Sequence, residues 1–297
     1  MKLRKTLMAA ALAAPLMLAG AANAAILVDD WMIDTTVVGP EALAGGRVIT
    51  GIDVLGFNDA PIKVTLGAGG LAVGSGFDVT GKLAISQILN DVTGAIAPPE
   101  MNQVINIGGF DGFELTATFS VSGVIVGAAP PNFTYDHFAG GLLTVFLDNL
   151  TNGGKATPGT GAGYADGTPI ATFTVLAAPN DGGTLNTTTL DGADDIFFLL
   201  TGNPFGALKD SGGTPLVPGQ IIAFTDSNFD LDADNDGIPD EQRGGLGCPA
   251  VGSFGPGGTF CAVEDGTVRL QVPEPGVLTL LGIGLLGLVG ALRFRRG

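Results

Sequence analysis

The chain has 297 residues, 49 of them glycine, with 45% hydrophobic content and a formal net charge of −16. That much glycine excludes a helical bundle, because each interior helical glycine costs about 1 kcal/mol against alanine, and its irregular spacing excludes collagen. Only 13 Lys+Arg stand against 29 Asp+Glu, so nucleic acid is not an expected partner.

At the N-terminus, Lys2, Arg4 and Lys5 precede an apolar stretch, Thr6 to Gly20, and then Ala22-Asn23-Ala24. A basic region, a short apolar region and small residues at Ala22 and Ala24 predict a signal peptide over 1–24, with the mature chain starting near Ala25. A membrane anchor is the alternative, but the stretch is short and broken by Pro15.

A body over 25–225 follows. Its clearest strand is Phe113 to Val121, where Phe113, Leu115, Ala117, Phe119 and Val121 alternate with Glu114, Thr116, Thr118 and Ser120. Period two with one wet face is the signature of a half-buried strand. Further strands are predicted at 26–38, 47–56, 62–66, 103–107, 142–148, 170–176, 184–190, 195–200 and 221–225, and a last one at 268–272. Turn clusters of Gly, Pro, Asn and Asp separate them. A short helix is expected at 82–89, and 149–166 reads as a long surface loop. The fold class is therefore all-β: an antiparallel β-sandwich, jelly-roll-like or Ig-like.

Residues 226–243 form an acidic segment. Asp232, Asp234 and Asp236 alternate, Gly237 follows, and Asp240 closes the run. Oxygen ligands on alternate residues followed by a turn-permitting glycine let one loop wrap Ca²⁺, with Ile238 offering its carbonyl. Asp226, Asn228 and Asp230 continue the alternation upstream. The twelfth position from Asp232 is Arg243, so the loop is not an EF-hand. It resembles a thrombospondin type 3 calcium loop instead, which implies Ca²⁺ as the cofactor. A solvated acidic linker is the alternative reading, since seven carboxylates between Asp226 and Glu241 repel one another.

Residues 244–271 hold Cys248, Cys261 and the last strand. Two cysteines in an exported chain predict a disulfide, because zinc would need partners and the one histidine is far away in sequence. Catalytic signals are weak and no enzyme is expected. Asp136-His137 lacks a nucleophile elbow, so His137 reads as an ordinary loop or surface histidine. Trp31, Tyr135 and Tyr164 are too dispersed for a sugar-stacking platform.

Residues 272–297 begin Val272-Pro273-Glu274-Pro275, continue as an uncharged apolar run from Gly276 to Leu292, and end with Arg293, Arg295 and Arg296. The run would span roughly 25 Å as a transmembrane helix, with the arginines cytoplasmic. These three parts, in this order and at the terminus, resemble a PEP-CTERM sorting signal. The resemblance implies an exosortase partner, transient anchoring in the inner membrane, cleavage near Pro-Glu-Pro, and export to the surface or exopolysaccharide matrix of a Gram-negative bacterium. The stretch Phe260-Cys261-Ala262-Val263-Glu264-Asp265-Gly266 resembles flocculation-associated PEP-CTERM proteins, which implies binding of cells to exopolysaccharide. Without the six basic residues of the two tails, residues 25–275 carry 7 Lys+Arg against 29 Asp+Glu, a net of −22. The expected role is a secreted, non-enzymatic matrix protein. A carbohydrate-binding adhesin and a secreted glycan hydrolase are the alternatives.

Overall fold

The computed structural model describes residues 25–36, 46–104, 111–150, 155–156, 162–176, 181–231, 246–249 and 253–273. Every regular element among them is a strand. In chain order these are β1 (Ala25–Leu27), β2 (Trp31–Asp34), β3 (Val48–Ile52), β4 (Val54–Leu66), β5 (Gly76–Asn90), β6 (Gly94–Ala95), β7 (Phe113–Ala129) and β8 (Asn132–His137). They continue as β9 (Leu142–Asn149), β10 (Thr168–Val175), β11 (Gly182–Asn186), β12 (Asp191–Gly202), β13 (Leu208–Lys209), β14 (Ile222–Asp230) and β15 (Thr259–Pro273). By contact the chain divides into Val28–Leu270 and a second unit, Met1–Leu27 with Gln271–Gly297. In the second unit the described part is β1 on the end of β15, with Ala25 opposite Pro273 and Leu27 opposite Gln271.

All-β structure with antiparallel pairing is as expected, but the main sheet is not two separate layers. Hydrogen-bonded neighbours run β4–β5–β7–β9–β10–β12–β14–β15 and back to β4, an eight-strand closed circuit. Two long strands each serve two partners in succession. Residues Phe113–Ser120 of β7 pair with β9 and Gly123–Ala129 with β8. Asp191–Asp195 of β12 pair with β11, and 198–202 with β10. Since β8 also pairs with β11, the gap between β7 and β12 is bridged along both halves. Sequence patterning could not have found this closure, because it depends on pairings between distant strands.

Alternation then sorts the side chains. Phe113, Leu115, Ala117, Phe119 and Val121 of β7 are all buried, as predicted, and Ile196, Phe198 and Leu200 of β12 join them. The small sheet β13–β2–β3 adds Trp31, Ile33 and Leu208 to the apolar core with Leu115, Ile170 and Leu270. Polar residues such as Asp78 and Thr80 of β5 and Asp226 and Asp230 of β14 are exposed. An apolar inside with a polar outside suits a barrel in water and is the reverse of a lipid-facing one.

The interior is made to fit by phenylalanines set opposite glycines. Gly81 faces Phe119 and Gly123 faces Phe77 across β5–β7; Gly192 faces Phe229, and Gly266 faces Phe57. A Cβ on Gly81 or Gly123 would lie inside van der Waals distance of the facing ring. Each glycine is a socket for a ring rather than a flexible point.

Several expectations are corrected. Residues 82–89 are not a helix; they belong to β5. A bulge interrupts the alternation there: Phe57 faces Ile85 and Gly56 faces Gln87, so Ser86 is the extra residue. Gln103 and Val104 are not strand, and the rest of that expected strand lies outside the described residues. Residues 184–190 turn after Asn186, and 26–38 is broken by a turn at Asp29–Asp30. Asp226, Asn228 and Asp230 are not in a loop; they extend β14. Among the described residues no helix is long and apolar enough to cross a membrane, and the expected transmembrane run at 276–292 lies outside them.

Gly81→Ala should force the Phe119 ring out of its socket and cost about 1–3 kcal/mol. At Gly76 a Cβ would meet nothing closer than 3.6 Å, so Gly76→Ala should stay within about 0.5 kcal/mol of wild type. Denaturant unfolding of the two variants checks both.

Candidate functional site

One polar row crosses the apolar interior. Cα register places Tyr135 opposite Gly183, Gly183 opposite Asp194, and Asp194 opposite Ser227. The Ser227 hydroxyl donates to Glu264 Oε1 at 2.5 Å, which carries the row onto β15. His137, two residues on from Tyr135 and therefore on the same face, has Nε2 2.8 Å from Asp194 Oδ1. Phe77, Tyr135 and His137 pack edge to face, with centroids 5.3–6.0 Å apart. His137 is thus a buried strand residue, 4% exposed, and not the surface histidine expected from its place in the sequence.

Burial sets the electrostatics of this row. It pushes the Glu264 carboxyl up to about 7; the Asp194 charge adds to the rise, while the Ser227 hydrogen bond and His137 oppose it. Burial alone would lower His137, but the charge and hydrogen bond of Asp194, helped by Asp181 and Glu264, hold it above the usual histidine value. Two carboxyls in unlike environments resemble a general-acid arrangement. The cavity beside them is only about 40 Å³, walled by Ile62, Phe77, Phe119 and Leu185. It has room for water but none for a sugar ring.

A second acidic feature lies on the outer face. Asp191 stands opposite Asp230 and Asp195 opposite Asp226 on β12–β14. Burial, then the charges of Asp226 and Asp194, raise the Asp195 carboxyl. Asp59 and Asp265 border a groove with Asp191 and Asp230, and the Asp59 amide donates to Asp265 Oδ1 at 2.7 Å. Like charges directly opposite one another are destabilising, so a cation over this ladder would relieve it. Alternation in the sequence gave only one strand of the ladder; the facing strand is a matter of register.

The expected calcium ligands Asp232, Asp234, Asp236, Ile238 and Asp240 lie outside the described residues. The flanks of that segment are fixed. Leu231 is fully buried, with its amide bonded to the Leu190 carbonyl, and the Leu246 carbonyl accepts from Lys63 Nζ at 3.1 Å. Cys248 and Cys261 form the expected disulfide, with Cα atoms 6.0 Å apart. Among the described residues no group of three His, Cys, Asp or Glu side chains is placed to hold a metal. Sequence reasoning also missed Asp53, whose carboxylate accepts the amides of Asp30 and Asp91. Trp31 and Tyr164 are 1% and 2% exposed, so neither can stack on a sugar.

Residues 271–296 match the PEP-CTERM protein-sorting motif. Val272, Pro273, Glu274, Pro275, Arg293, Arg295 and Arg296 fall within it. The motif marks an exported protein processed by an exosortase and delivered to the cell envelope or surface. No curated protein matches the chain. Among solved structures, Neisserial surface protein A (NspA) aligns at 7% identity over 73% of this chain and 96% of its own, with a TM-score of 0.13.

Glu264 binds its proton more tightly in the folded than in the unfolded state. Its contribution is therefore complete below about pH 4.5 and falls as pH rises through about 7, by roughly 3 kcal/mol in all. His137 acts in the same direction, because its raised value favours the protonated folded form. Melting temperature should drop from pH 5 to pH 8, and Glu264→Gln should remove much of that drop.

Proposed function

We propose that this chain, which carries a PEP-CTERM sorting motif, is a non-enzymatic component of the extracellular matrix that Ca²⁺ joins to anionic exopolysaccharide in biofilm or floc. The observation that carries the reading is the pairing of this motif with a body of net charge −22 whose exposed carboxylates stack across β12–β14. A signal peptide over 1–24, cut after Ala24, begins the route, and exosortase processing near Pro-Glu-Pro ends it.

Calcium acts at two places in this reading. The segment Asp232–Asp240 closes around one ion, its flanks held by Leu231 on one side and the disulfide on the other. The ladder of Asp191, Asp195, Asp226 and Asp230 shares further ions with uronate-like carboxylates of the polysaccharide. Against a hydrolase centred on Glu264 stands the narrow space beside it, about 40 Å³. Against an aromatic-platform adhesin stands the burial of Trp31 and Tyr164.

The test is co-sedimentation with an acidic exopolysaccharide, together with thermal melts. Millimolar Ca²⁺ should raise the melting temperature and promote co-sedimentation, and EDTA should reverse both. Replacing Asp191, Asp195, Asp226 and Asp230 by Asn should abolish co-sedimentation while leaving the Ca²⁺-dependent melting shift, which Asp236→Asn should remove. Equal binding in EDTA, or binding to a neutral glycan alone, would overturn the proposal in favour of the adhesin.

A further inference from the structure

The outer face of β7–β9 should be wet by alternation, yet its Glu114–Thr116 end is covered. Glu114 and Thr116 are 1% and 0% exposed. Two stretches of the chain after β9 lie over them, residues 155–156 and 162–167. The Ala156 amide donates to Glu114 Oε1 at 2.7 Å, and the Thr116 hydroxyl donates to the Tyr164 carbonyl at 2.9 Å. Tyr164 is itself 2% exposed, which corrects the reading of 149–166 as simply a surface loop.

Beneath this cover two carboxyls face each other. Glu114 of β7 is directly opposite Asp148 of β9, and Asp148 is also 1% exposed. Cross-strand partners have Cβ atoms about 5 Å apart. Buried carboxylates on directly opposite residues repel, and a proton on one of them removes the repulsion. Among the described residues, the other charged and titratable groups around the pair include Asp166, Lys155 and Tyr164 from the cover, and Asp111, whose carboxylate accepts from Asn149 at 3.5 Å. From β5, Lys82 lies 5.9 Å from the centre of the Tyr164 ring. Lys155 is exposed, and its Nζ donates to the Asn102 carbonyl at 3.0 Å.

We infer that Glu114 and Asp148 form a proton latch: one proton on the pair keeps residues 155–156 and 162–167 seated on β7–β9, and its loss releases them while the strand circuit stays folded. Among the described hydrogen bonds of the cover, Thr116 to Tyr164 and Lys155 to Asn102 involve no carboxyl. Ala156 to Glu114 rests on the titrating one. Burial, with the charges of Asp148 and Asp166, pushes Glu114 up to about 7, against the Ala156 amide and Lys155. The seated form binds the proton more tightly than the released form, so it is favoured in mild acid and loses ground as pH rises through neutrality. The latch is distinct from the calcium and polysaccharide reading and does not require it.

Tryptic cleavage after Lys155 in the full folded chain reads the latch. Rates are followed by fragment mass at pH 6 and pH 8.5 and expressed relative to Glu114→Gln at the same pH, which cancels the protease's own pH dependence. Glutamine keeps an oxygen for the Ala156 amide but cannot ionise. The wild-type ratio should rise about tenfold between the two pH values, the change expected when a carboxyl near 7 in the seated form falls to its ordinary value on release. Asp148→Asn, which leaves Glu114 titratable but removes its facing charge, should reduce the rise. Glu264→Gln should leave it unchanged, with the far-ultraviolet spectrum of the sheet constant throughout. A flat wild-type ratio overturns the latch. So does a rise that Glu264→Gln suppresses as strongly as Asp148→Asn, since that would report global opening.

Discussion

Closing eight strands on themselves commits every second residue of each strand to one confined interior. A side chain turned inward cannot escape to solvent by tilting, and it must fit those facing it from the opposite wall. The phenylalanine–glycine pairs meet this constraint. Phe119 and Phe77 project from adjacent strands in opposite directions, each over the glycine of the other strand. Large rings are accommodated without widening the circuit, and the cost of glycine in a strand is offset by ring packing. Part of the high glycine content thus has a packing role that composition alone could not distinguish from looseness.

The same confinement explains why the few polar residues inside matter. Tyr135, Asp194, Ser227 and Glu264 fall in one register row, so each finds a partner in its neighbour instead of in water. A charge in such a place is tolerated only when paired or protonated. His137 supplies the pairing for Asp194, and protonation serves Glu264. Glu114 and Asp148 repeat the problem on the opposite face of the wall, where the cover comes from the chain itself. Burial thus raises two carboxyls, Glu114 and Glu264, to about 7.

What the sequence made legible was local. Strand β7 could be read because its alternation is regular, and the sorting motif because its three parts are contiguous. The disulfide followed from counting cysteines in an exported chain. Residues 82–89 were not legible as strand because the bulge at Ser86 shifts a period of two to a gap of three. His137 was misplaced because a lone polar residue at a strand end carries no sign of which face it will take. The aspartate ladder needed the register of β12 against β14, and the burial of Glu114 needed a segment distant in sequence to lie on it. Each miss concerns pairing between distant parts of the chain.

The closed circuit also changes how copies of this protein meet one another. An ordinary open sheet presents edge amides and carbonyls that a neighbour can extend, and crowded chains with such edges drift toward fibres. In the eight-strand circuit each strand has a hydrogen-bonded neighbour on both sides, so that route of association is closed to it. Encounters between circuits bring carboxylate-rich outer faces together, where dissolved ions set the balance between repulsion and cohesion. Association between such faces depends on ionic strength, unlike the persistent cross-β contact that an open edge invites.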